Sequence, residues 1–545
     1  MLGSQLVIAA LQRRGVKTIF SLSGNQIMPL YDACIDAGVR IVHVRHEAAA
    51  VFMADAWAQI TGEVGVAMLT AGPGITNGIA PLYSAAQAES PVLLISGDSS
   101  VTEDGLGAFQ EMDQIAITRP LTKLSYRPLS TSELAHCVED AIHTALTPRR
   151  GPVHLALPFD LLTQDTGIHS LQAINPACEA QLLQPQDRQF LSQLLTEAKR
   201  PLILAGPSWA RAPMRASKQA LEAALQTPVV PMESPRGLKD PALGCLADLI
   251  AQADVIVLAG KVLDFTLAFG RGSTFDAGAG IVVLDPDANA IDRARRVLGD
   301  RLKLAIQIDP VAVLEDLVAT TQVAPRNEWI AQSANSLHSR TIQNATPGDS
   351  GKLSPQDLCD VVQAYLRDAD DPILICDGGE FGQWAQAFCT APTRIINGMS
   401  GAIGAGICYA IAAKIARPQS AVVVLMGDGT SGFHFMELDT AVREQAGFHA
   451  IIGNDLRWNA EHLIQMRSYG KDRLIGCQLS PTAKYHEAAQ ALGAVGAQAL
   501  SATELAQLLQ TPKGASNTVP VCINVPIDGQ PAPIFNTKAN MASGH

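Results

Sequence analysis

The sequence predicts an α/β protein built from three doubly wound domains, each with a parallel sheet. Two observations support this: short apolar runs alternate with helical stretches, and two polar stretches divide the chain. The apolar runs are rich in β-branched residues and end at turns marked by Gly or Asp. Strands that alternate with helices are typical of parallel sheets with helices on both faces. Seven runs have this form: Val64–Thr70, Pro91–Ser96, Pro201–Ala205, Val255–Ala259, Ile281–Leu284, Ile373–Cys376 and Ala421–Met426.

The two polar stretches divide the chain into lengths that suit single domains. At 545 residues the chain is too long for one ordinary domain. Thr163–Asp187 and Ser333–Leu353 lack a strong period and are rich in the polar and turn-forming residues typical of linkers. Cutting there predicts domains over residues 1–165, 188–330 and 352–530, each able to form its own core.

The composition excludes several classes of protein. Hydrophobic residues make up 47% and charged residues 17%, which is typical of a core-rich enzyme. The formal net charge of −12 argues against a nucleic-acid partner, because such a protein has a basic face. The longest apolar runs, such as Ala421–Met426, are far shorter than the ~20 residues that cross a membrane, so no membrane partner is expected. The N-terminal run Leu6–Leu11 lacks a cleavage site and the ten cysteines form no CxxC pair, so we expect reduced thiols and a cytoplasmic location.

A candidate phosphate and metal site follows the apolar run Ala421–Met426. Gly427–Thr430 (GDGT) comes directly after this run. Asn454-Asp455 follow Gly429 after 24 intervening residues (430–453), behind a second run at His449–Ile452. Backbone N–H groups at a helix start beyond a strand suit a diphosphate. Carboxylate and amide oxygens, together with phosphate oxygens, are common ligands of Mg²⁺. Alone, the first string is explained equally well by a turn, but the second string at this spacing favours a metal site.

The two strings resemble the diphosphate-binding motif of thiamine-diphosphate enzymes, in which Gly-Asp-Gly and Asn-Asn are separated by a spacer of this length. The resemblance implies thiamine diphosphate and Mg²⁺ as cofactors. It also implies Asp428, Asp455 and the main-chain carbonyl of Arg457 as metal ligands. Asp455 stands where the family has its second Asn. The position keeps an oxygen ligand but adds negative charge beside the diphosphate, so the metal is expected to matter more for cofactor binding.

A candidate activating carboxylate lies near the N-terminus. The strand-like run Ile41–Arg45 leads into His46 and Glu47 and then three alanines, which places Glu47 at a strand end and a helix start. Alone, a Glu at this position is explained by a favourable charge at a helix N-terminus. The surrounding strings resemble the pyrimidine domain of acetolactate synthases and benzaldehyde lyase. The strings that carry this resemblance are Arg45–Ala50 (RHEAAA), Thr70–Asn77, Phe109–Glu111 and Thr118–Lys123.

Three further strings resemble cofactor contacts of the same family. Asn397–Gly406 resembles the loop whose bulky residue lies beneath the cofactor. Asp377–Trp384 resembles the segment that contacts the diphosphate, in a form closer to 2-hydroxyacyl-CoA lyases. Trp458–Ala460 is similar to a Trp-Gly-Ala string of benzaldehyde lyase. The resemblance implies Glu47 as the activating carboxylate, Ile403 as the bulky residue, and the following cofactor-binding residues: Pro73, Asn77, Gly379, Glu380, Phe381, Gly401, Ile403, Gly427, Asp428, Gly429, Thr430, Asp455, Trp458, Asn459 and Ala460.

The resemblance covers nearly the whole chain, in the order pyrimidine-binding domain, Rossmann-like middle domain and diphosphate-binding domain. In this family the active site lies between the first domain of one subunit and the third domain of another, which implies a homodimer or homotetramer. Some relatives bind FAD or an ADP group in the middle domain. The string Gly260–Phe265 lacks the Gly-Ala-Arg start found in acetolactate synthases, which disfavours FAD here.

The implied reaction is attack of the cofactor carbanion on a carbonyl carbon, followed by loss of CO₂ or cleavage of a carbon–carbon bond. Gln110 matches an active-site Gln of acetolactate synthases and benzaldehyde lyase. Gln26 lies in a loop where its amide reaches either a substrate oxygen or nearby backbone groups. We expect a 2-oxoacid decarboxylase or carboligase that uses small 2-oxoacids, aldehydes or acyloins. An acyloin lyase ranks second, and a 2-hydroxyacyl-CoA lyase third because the tail Ile527–His545 is short for covering CoA. Glu47 disfavours a non-catalytic binding protein.

Overall fold

The computed structural model of the chain describes residues 1–168, 181–271, 273–340, 351–510 and 518–535. The named strands in these residues pair only in parallel and form sheets of six, five and six strands. The prediction of three parallel α/β sheets is therefore confirmed. The strands are β1 Thr18–Ser21, β2 Arg40–His43, β3 Gly65–Leu69, β4 Val92–Asp98, β5 Ser125–Tyr126, β6 Val153–Pro158, β7 Pro201–Ala205, β8 Val229–Pro231, β9 Val255–Ala259, β10 Gly280–Asp285, β11 Leu302–Gln307, β12 Ile373–Cys376, β13 Thr393–Ile396, β14 Val422–Gly427, β15 His449–Asn454, β16 Val495–Gln498 and β17 Val521–Pro526.

Helices connect these strands and cover the sheets, as the alternating pattern predicts. They are α1 Gly3–Arg13, α2 Met28–Ala37, α3 Glu47–Thr61, α4 Pro73–Asn77, α5 Ile79–Gln87, α6 Gln114–Thr118, α7 Leu134–Leu146, α8 Phe159–Thr163, α9 Pro185–Glu197, α10 Arg215–Leu225, α11 Leu246–Ile250, α12 Ala288–Leu298, α13 Pro310–Thr320, α14 Asn327–His338, α15 Pro355–Asp368, α16 Gly379–Phe388, α17 Gly406–Ala416, α18 Asp428–Ser431, α19 Glu437–Arg443, α20 Asn459–Tyr469, α21 Tyr485–Ala491 and α22 Ala502–Leu509.

The first and third sheets have the same strand order, although the sequence shows no repeat. The N-terminal sheet runs β2-β1-β3-β4-β6-β5, and the C-terminal sheet runs β13-β12-β14-β15-β17-β16. The middle sheet runs β11-β10-β9-β7-β8. In each outer sheet the chain adds strands first towards one edge and then towards the other. This reversal of strand order falls between β1 and β3 in the N-terminal sheet and between β12 and β14 in the C-terminal sheet. Ligands of doubly wound sheets bind beyond the carboxyl ends of the strands at such reversal points, so the fold marks two candidate binding edges.

Most predicted strands agree with the observed bounds to within two residues, because buried parallel strands are near-continuous apolar runs. Three differences bear on the binding edges. β4 continues through Gly97 and Asp98, which the sequence assigned to a turn, because these residues pair with β6. β15 continues through Asn454, which pairs with β17. β2 ends at His43, so the turn of residues 44–46 precedes Glu47.

Helices overlap both predicted linkers. α9 begins at Pro185, inside the stretch predicted as a linker, since Pro fits the first turn of a helix. α14 continues to His338 because Trp329 and Ser333 are buried on its inner face. The linker residues 169–180 and 341–350 lie outside the described residues, and the domain boundaries stay a prediction.

The chain forms two compact units, the first holding the N-terminal and C-terminal sheets and the second the middle sheet. In the first unit, α3 packs against α17 within one continuous apolar core. Both helices are rich in alanine, whose small side chain lets two backbones approach closely. Tyr409 Oη donates to Asp55 Oδ2 at 2.8 Å across this contact, so the buried carboxylate has a hydrogen-bond partner.

The cysteines agree with the prediction of reduced thiols. Nine cysteines lie in the described residues, all are free, and all but Cys245 are buried. None of the helices in the described part of the chain is long and apolar enough to span a membrane.

Candidate active site

The carboxyl ends of β12 and β14 form the reversal point of the C-terminal sheet. The two strands are neighbours, with Cys376 paired to Leu425. Asp377 follows β12 directly, and Asp428 follows β14 directly. On the other side of β14, Asp455 follows the last residue of β15. The residues predicted for the phosphate and metal site therefore lie at one edge of one sheet.

Asp428 and Asp455 are buried carboxylates, and the charge of Asp428 acts on the ionisation of Asp455. Their exposed fractions are 3% and 7%. The pKa of Asp455 is raised to about 7, first by burial and then by the charge of Asp428, while Arg457 opposes the rise. Burial also raises the pKa of Asp428 to about 6, against backbone N–H donors that lower it. Two buried carboxylates side by side are costly unless a cation neutralises them.

This pair fits a divalent cation that is also bound by a diphosphate. Asp428 Oδ2 and Asn459 Oδ1 are buried without a hydrogen-bond partner. Within the described ranges, no group of three or more His, Cys, Asp or Glu side chains is arranged to hold a metal by itself. Mg²⁺ typically takes one or two carboxylates and completes its shell with water and phosphate oxygens. Arg457 stands two residues beyond Asp455, where the family pattern places a main-chain carbonyl ligand.

Glycines let aromatic rings lie directly on the backbone of this edge. A Cβ added to Gly429 would lie 2.7 Å from the ring of Trp458, and one added to Gly453 would lie 2.7 Å from the ring of Phe381. Gly379 has a φ of +85°, which L side chains rarely adopt. The Trp458 ring therefore covers the turn after β14 and the Phe381 ring covers the end of β15, and a side chain on either glycine would displace a ring.

Asp377 holds the loop that carries Ile403. Its carboxylate accepts hydrogen bonds from the backbone N–H groups of Gly378 at 2.6 Å, Gly404 at 2.8 Å and Gly406 at 3.0 Å. Ile403 lies over the adjacent turn, because a Cβ on Gly378 would be 2.4 Å from Ile403 Cγ2. Burial raises the pKa of Asp377 to about 6, although the three N–H donors lower it. The predicted position of Ile403 in a loop before α17 agrees with the structure.

Five other residues predicted to contact the cofactor lie at or near this edge: Glu380, Gly401, Gly427, Thr430 and Ala460. Glu380 is half-buried, and its charge is one of the causes that raise the pKa of Asp455. Thr430 is buried and donates its hydroxyl to Gly427 O at 3.1 Å, which closes the turn after β14. Gly401 is exposed with a φ of +67°, in the loop before α17, and Ala460 is half-buried in the first turn of α20.

Glu47 begins α3 at the edge of the N-terminal sheet. His46 caps this helix, with its Nδ1 accepting from Ala48 N at 3.1 Å. Asn77 Nδ2 donates to Glu47 Oε2 at 2.9 Å. Pro73 and Asn77 are the first and last residues of α4. Glu47 therefore contacts the helix that carries Pro73 and Asn77, which were predicted to bind the cofactor, and one oxygen of its carboxylate has a fixed partner.

Gln26 lies at the reversal point of the same sheet, in a short helical turn after β1. Thr70, the residue after β3, donates its hydroxyl to Gln26 Oε1 at 2.5 Å. The side chain is only 5% exposed and packs against Gly97, where a Cβ would be 2.5 Å from Gln26 Cβ. The amide oxygen of Gln26 is thus engaged by the side chain of Thr70, not by the backbone.

Gln110 is held in a strained conformation beside the turn after β3. Its φ is +63°, which costs a non-glycine residue of order 1–3 kcal/mol. A Cβ on Gly72 would lie 2.9 Å from Gln110 Cβ, and Gln110 Oε1 is buried without a partner. Glu111 stabilises the loop by accepting three backbone N–H groups, those of Gly105 at 2.6 Å, Gly107 at 2.9 Å and Ala108 at 3.0 Å.

The structure thus gathers the predicted residues into two groups, one at the edge of each outer sheet, and their roles stay predictions. Sequence reasoning gave no role to Asp377, Glu111 or Thr70, which hold Ile403, Gln110 and Gln26 in place. Their position in the sequence could have indicated a role for two of them, because Asp377 and Thr70 each directly follow the last residue of a buried strand.

Three family models match the chain in the predicted order. They are described as the N-terminal TPP binding domain, the central domain and the C-terminal TPP binding domain of thiamine pyrophosphate enzymes. The matches cover residues 1–117, 189–317 and 377–525. Thiamine pyrophosphate (TPP) is thiamine diphosphate, so the C-terminal match includes the edge with Asp428 and Asp455, and the N-terminal match includes Glu47.

Two kinds of relative align along most of the chain. The acetolactate synthase large subunit of Mycobacterium tuberculosis is 30% identical over 558 residues, with 99% of this chain and 98% of the relative covered. The 2-hydroxyacyl-CoA lyase 2 proteins of Bos taurus and Homo sapiens are each 32% identical, with 91% of this chain and 84% of the relative covered. The predicted resemblance is confirmed, and the chain belongs to the family of thiamine-diphosphate-dependent enzymes.

Proposed function

We propose that this enzyme binds Mg²⁺ with thiamine diphosphate and forms or cleaves the carbon–carbon bond next to a carbonyl, as an acetolactate synthase-like decarboxylase or carboligase. Its substrates are small 2-oxoacids, aldehydes or acyloins. The observation that carries the proposal is the buried pair of Asp428 and Asp455 at the reversal point of the C-terminal sheet. A cation and a diphosphate together satisfy this pair. The alignment with an acetolactate synthase over 99% of the chain supports the reaction class.

The residues at the edge of the C-terminal sheet would bind the diphosphate of the cofactor. Asp428, Asp455 and the carbonyl of Arg457 would hold Mg²⁺, and Gly429 and Thr430 would supply backbone N–H groups to phosphate oxygens. Trp458 and Phe433 meet edge to face beside the turn after β14, with ring centroids 6.2 Å apart. Bound there, thiamine diphosphate supplies a nucleophilic carbanion for attack on a carbonyl carbon.

The residues at the edge of the N-terminal sheet would transfer a proton and orient the substrate. Glu47 would exchange a proton between its carboxylate and a pyrimidine ring nitrogen of the cofactor, and Asn77 keeps the carboxylate in one orientation through Oε2. Gln26 and Gln110 would orient the substrate through their amide groups, and the unpartnered Gln110 Oε1 is available to accept a hydrogen bond from a substrate hydroxyl.

Glu47→Gln tests the activating role, with Glu63→Gln as the matched control because Glu63 is exposed in the same domain. We expect Glu47→Gln to retain cofactor binding and to lose at least ~100-fold in turnover, the usual contribution of a positioned acid or base. The control should match the wild type. Full turnover in Glu47→Gln with every 2-oxoacid and acyloin tested would contradict the proposed mechanism.

Asp428→Ala tests the metal and diphosphate site. Asp368→Ala is the matched control, because the Asp368 side chain is 80% exposed at the end of α15. We expect Asp428→Ala to abolish the Mg²⁺ dependence of cofactor binding, as measured by titration calorimetry. Unaltered metal-dependent affinity in this variant would refute the placement of the diphosphate.

We also propose that a second copy of the chain completes the active site, in a homodimer or homotetramer. The Glu47 and Asp428 groups lie on different sheets of one chain, which supports the subunit-sharing arrangement of the family. Mixing inactive Glu47→Gln and Asp428→Ala chains tests it. Shared sites would restore about a quarter of the wild-type activity in randomly mixed dimers, whereas sites made from one chain would restore none.

We further propose that the enzyme is located in the cytoplasm, which cell fractionation would test.

A second candidate function is 2-hydroxyacyl-CoA lysis. The string Asp377–Phe381 (DGGEF) favours it, as do relatives that carry this name at 32% identity. A panel of pyruvate, benzoylformate, benzoin, acetoin and a 2-hydroxyacyl-CoA, with Mg²⁺ and thiamine diphosphate, separates the candidates. Release of CO₂ from a 2-oxoacid or ligation of two carbonyl compounds supports the first function. Aldehyde formed only from the 2-hydroxyacyl-CoA supports the second.

A further inference from the structure

Glu437 contacts the turn that presents Glu47. It begins α19 in the C-terminal sheet domain and is 1% exposed. Its Oε1 accepts backbone N–H groups from Arg45 at 3.0 Å and from His46 at 3.1 Å. Arg45 and His46 are the two residues directly before Glu47. A carboxylate 391 positions away along the chain from His46 therefore binds the backbone immediately next to the proposed activating residue.

Two further hydrogen bonds of α19 stabilise the contact between Glu437 and the turn before Glu47. Thr440 donates its hydroxyl to Glu437 Oε2 at 2.6 Å, so both carboxylate oxygens have donors. Arg443, at the other end of α19, donates to His43 O at 2.6 Å, at the last residue of β2. A buried carboxylate is tolerated when it is fully hydrogen-bonded, and its charge makes the bonds to N–H groups stronger than neutral ones. α19 thus holds the backbone of the turn from both ends.

The same short segment also contacts the loop of Ile403. His434 Nδ1 lies 2.8 Å from Gly404 O. The ring of His434 meets those of His46 and Phe52 edge to face, with centroids 6.0 Å and 5.5 Å apart. The segment before α19 is therefore packed between the residue that precedes Glu47 and the residue that follows Ile403.

We propose that Glu437 is a positioning residue that fixes the direction of the Glu47 carboxylate through the backbone of Arg45 and His46. The inference rests on the proposed function of Glu47, and it adds a residue from a different domain that does not touch the cofactor. Without the Glu437 acceptor, two backbone N–H groups lose their partner and the turn gains freedom. A misplaced acid or base lowers turnover more than it lowers substrate binding.

The test compares Glu437→Leu, which removes the acceptor, with Glu437→Gln, which keeps an amide oxygen without the charge. Asp368→Asn is the control, because it removes an exposed charge from the same domain, at the end of α15 and away from α19. Hydrogen exchange of the Arg45 and His46 amides is measured by mass spectrometry in the cofactor-free protein. Turnover and KM are then measured in the loaded enzyme.

We expect at least tenfold faster exchange at these amides in Glu437→Leu, with at least tenfold lower turnover and KM within threefold of the wild type. Glu437→Gln should fall between the wild type and Glu437→Leu, and the control should match the wild type. A folded Glu437→Leu protein with unchanged exchange, or with faster exchange but unchanged turnover, would overturn the proposal. If Glu437→Leu does not fold, Glu437→Gln decides: threefold faster exchange supports the proposal, and wild-type exchange refutes it.

The exchange measurement needs neither cofactor nor activity, so it separates this inference from the proposed function. If Glu47→Gln is fully active while Glu437→Leu still shows faster exchange, the contact is real and the function of Glu47 is wrong. If Glu47→Gln is inactive while Glu437→Leu exchanges and turns over as the wild type does, only the positioning role fails.

Discussion

Asp455→Asn removes one of the two buried charges beside the diphosphate turn and restores the residue that the family motif has there. The folded-state pKa of Asp455 is about 7, whereas an Asp in an unfolded chain has a pKa of about 3.9. A carboxyl group whose pKa is raised by folding destabilises the native state as it ionises, by about 1.4 kcal/mol per pH unit between the two values. The cost is negligible below pH 4 and complete above pH 7, where it reaches about 4 kcal/mol.

An Asn side chain carries the same shape without the charge, but its burial also has a cost. We therefore expect Asp455→Asn to stabilise the metal-free protein by about 2–4 kcal/mol at pH 8 and by less than about 2 kcal/mol at pH 5. This corresponds to a rise of roughly 2 °C or more in the melting temperature at pH 8. The same change should weaken Mg²⁺ binding at least ~tenfold in the presence of thiamine diphosphate, because one ligand charge is lost.

The assay is thermal unfolding in EDTA at pH 5 and pH 8, followed by Mg²⁺ titration with the cofactor present. Asp368→Asn is the matched control, since it removes an exposed charge from the same domain and should change neither quantity. A melting temperature for Asp455→Asn that is below the wild-type value at pH 8 would refute the reasoning. A stabilisation that is equal at both pH values would also refute it, because the cost must follow ionisation.

The other predictions concern packing and pH. Gly404→Ala should destabilise the protein by at least ~1–3 kcal/mol, seen as a lower melting temperature, because its φ is +87° and a Cβ would lie 2.3 Å from Phe433 Cβ; an unchanged value would contradict the loop geometry. Gly429→Ala should lower thiamine diphosphate affinity at least ~tenfold in calorimetry, because a Cβ would meet the Trp458 ring at 2.7 Å; wild-type affinity would argue against the site. His154 is fully buried, and burial lowers its pKa to about 3, below the unfolded value of about 6.5. The stability from neutral His154 is therefore complete above pH 6.5 and is lost as the pH falls. A His154→Gln variant should accordingly lose less melting temperature between pH 7 and pH 5 than the wild type does, and an equal loss would refute this assignment.

Much of the fold follows from local pattern. β7, β9 and β12 have the predicted bounds because a strand buried on both faces is a continuous apolar run. The reversal points could not be predicted, since the order of strands in a sheet depends on which edges pair in space. The same holds for the shared order of the two outer sheets, which have no detectable sequence repeat.

In the candidate site too, some residues could be predicted from local sequence, whereas the contacts between distant residues could not. Asp428 and Glu47 were predicted because each lies directly at a strand end or helix start, within a recognisable string. Thr70 and Asp377 were quoted within such strings, but their hydrogen bonds were not predictable. Thr70 binds Gln26, 44 positions earlier, and Asp377 binds Gly404, 27 positions later. Spacings of this size carry no periodic signal.

The sequence by itself determined the parallel α/β class, the cofactor family and the identity of the charged residues, because burial and turn chemistry are encoded by neighbouring residues. Only the tertiary structure decided that Asp428 lies close enough to Asp455 to raise its pKa, that α3 packs on α17, and that Glu437 holds the turn before Glu47. The physical reason is that these contacts join residues far apart in the chain. Their energies depend on how two sheets pack, which no local pattern encodes.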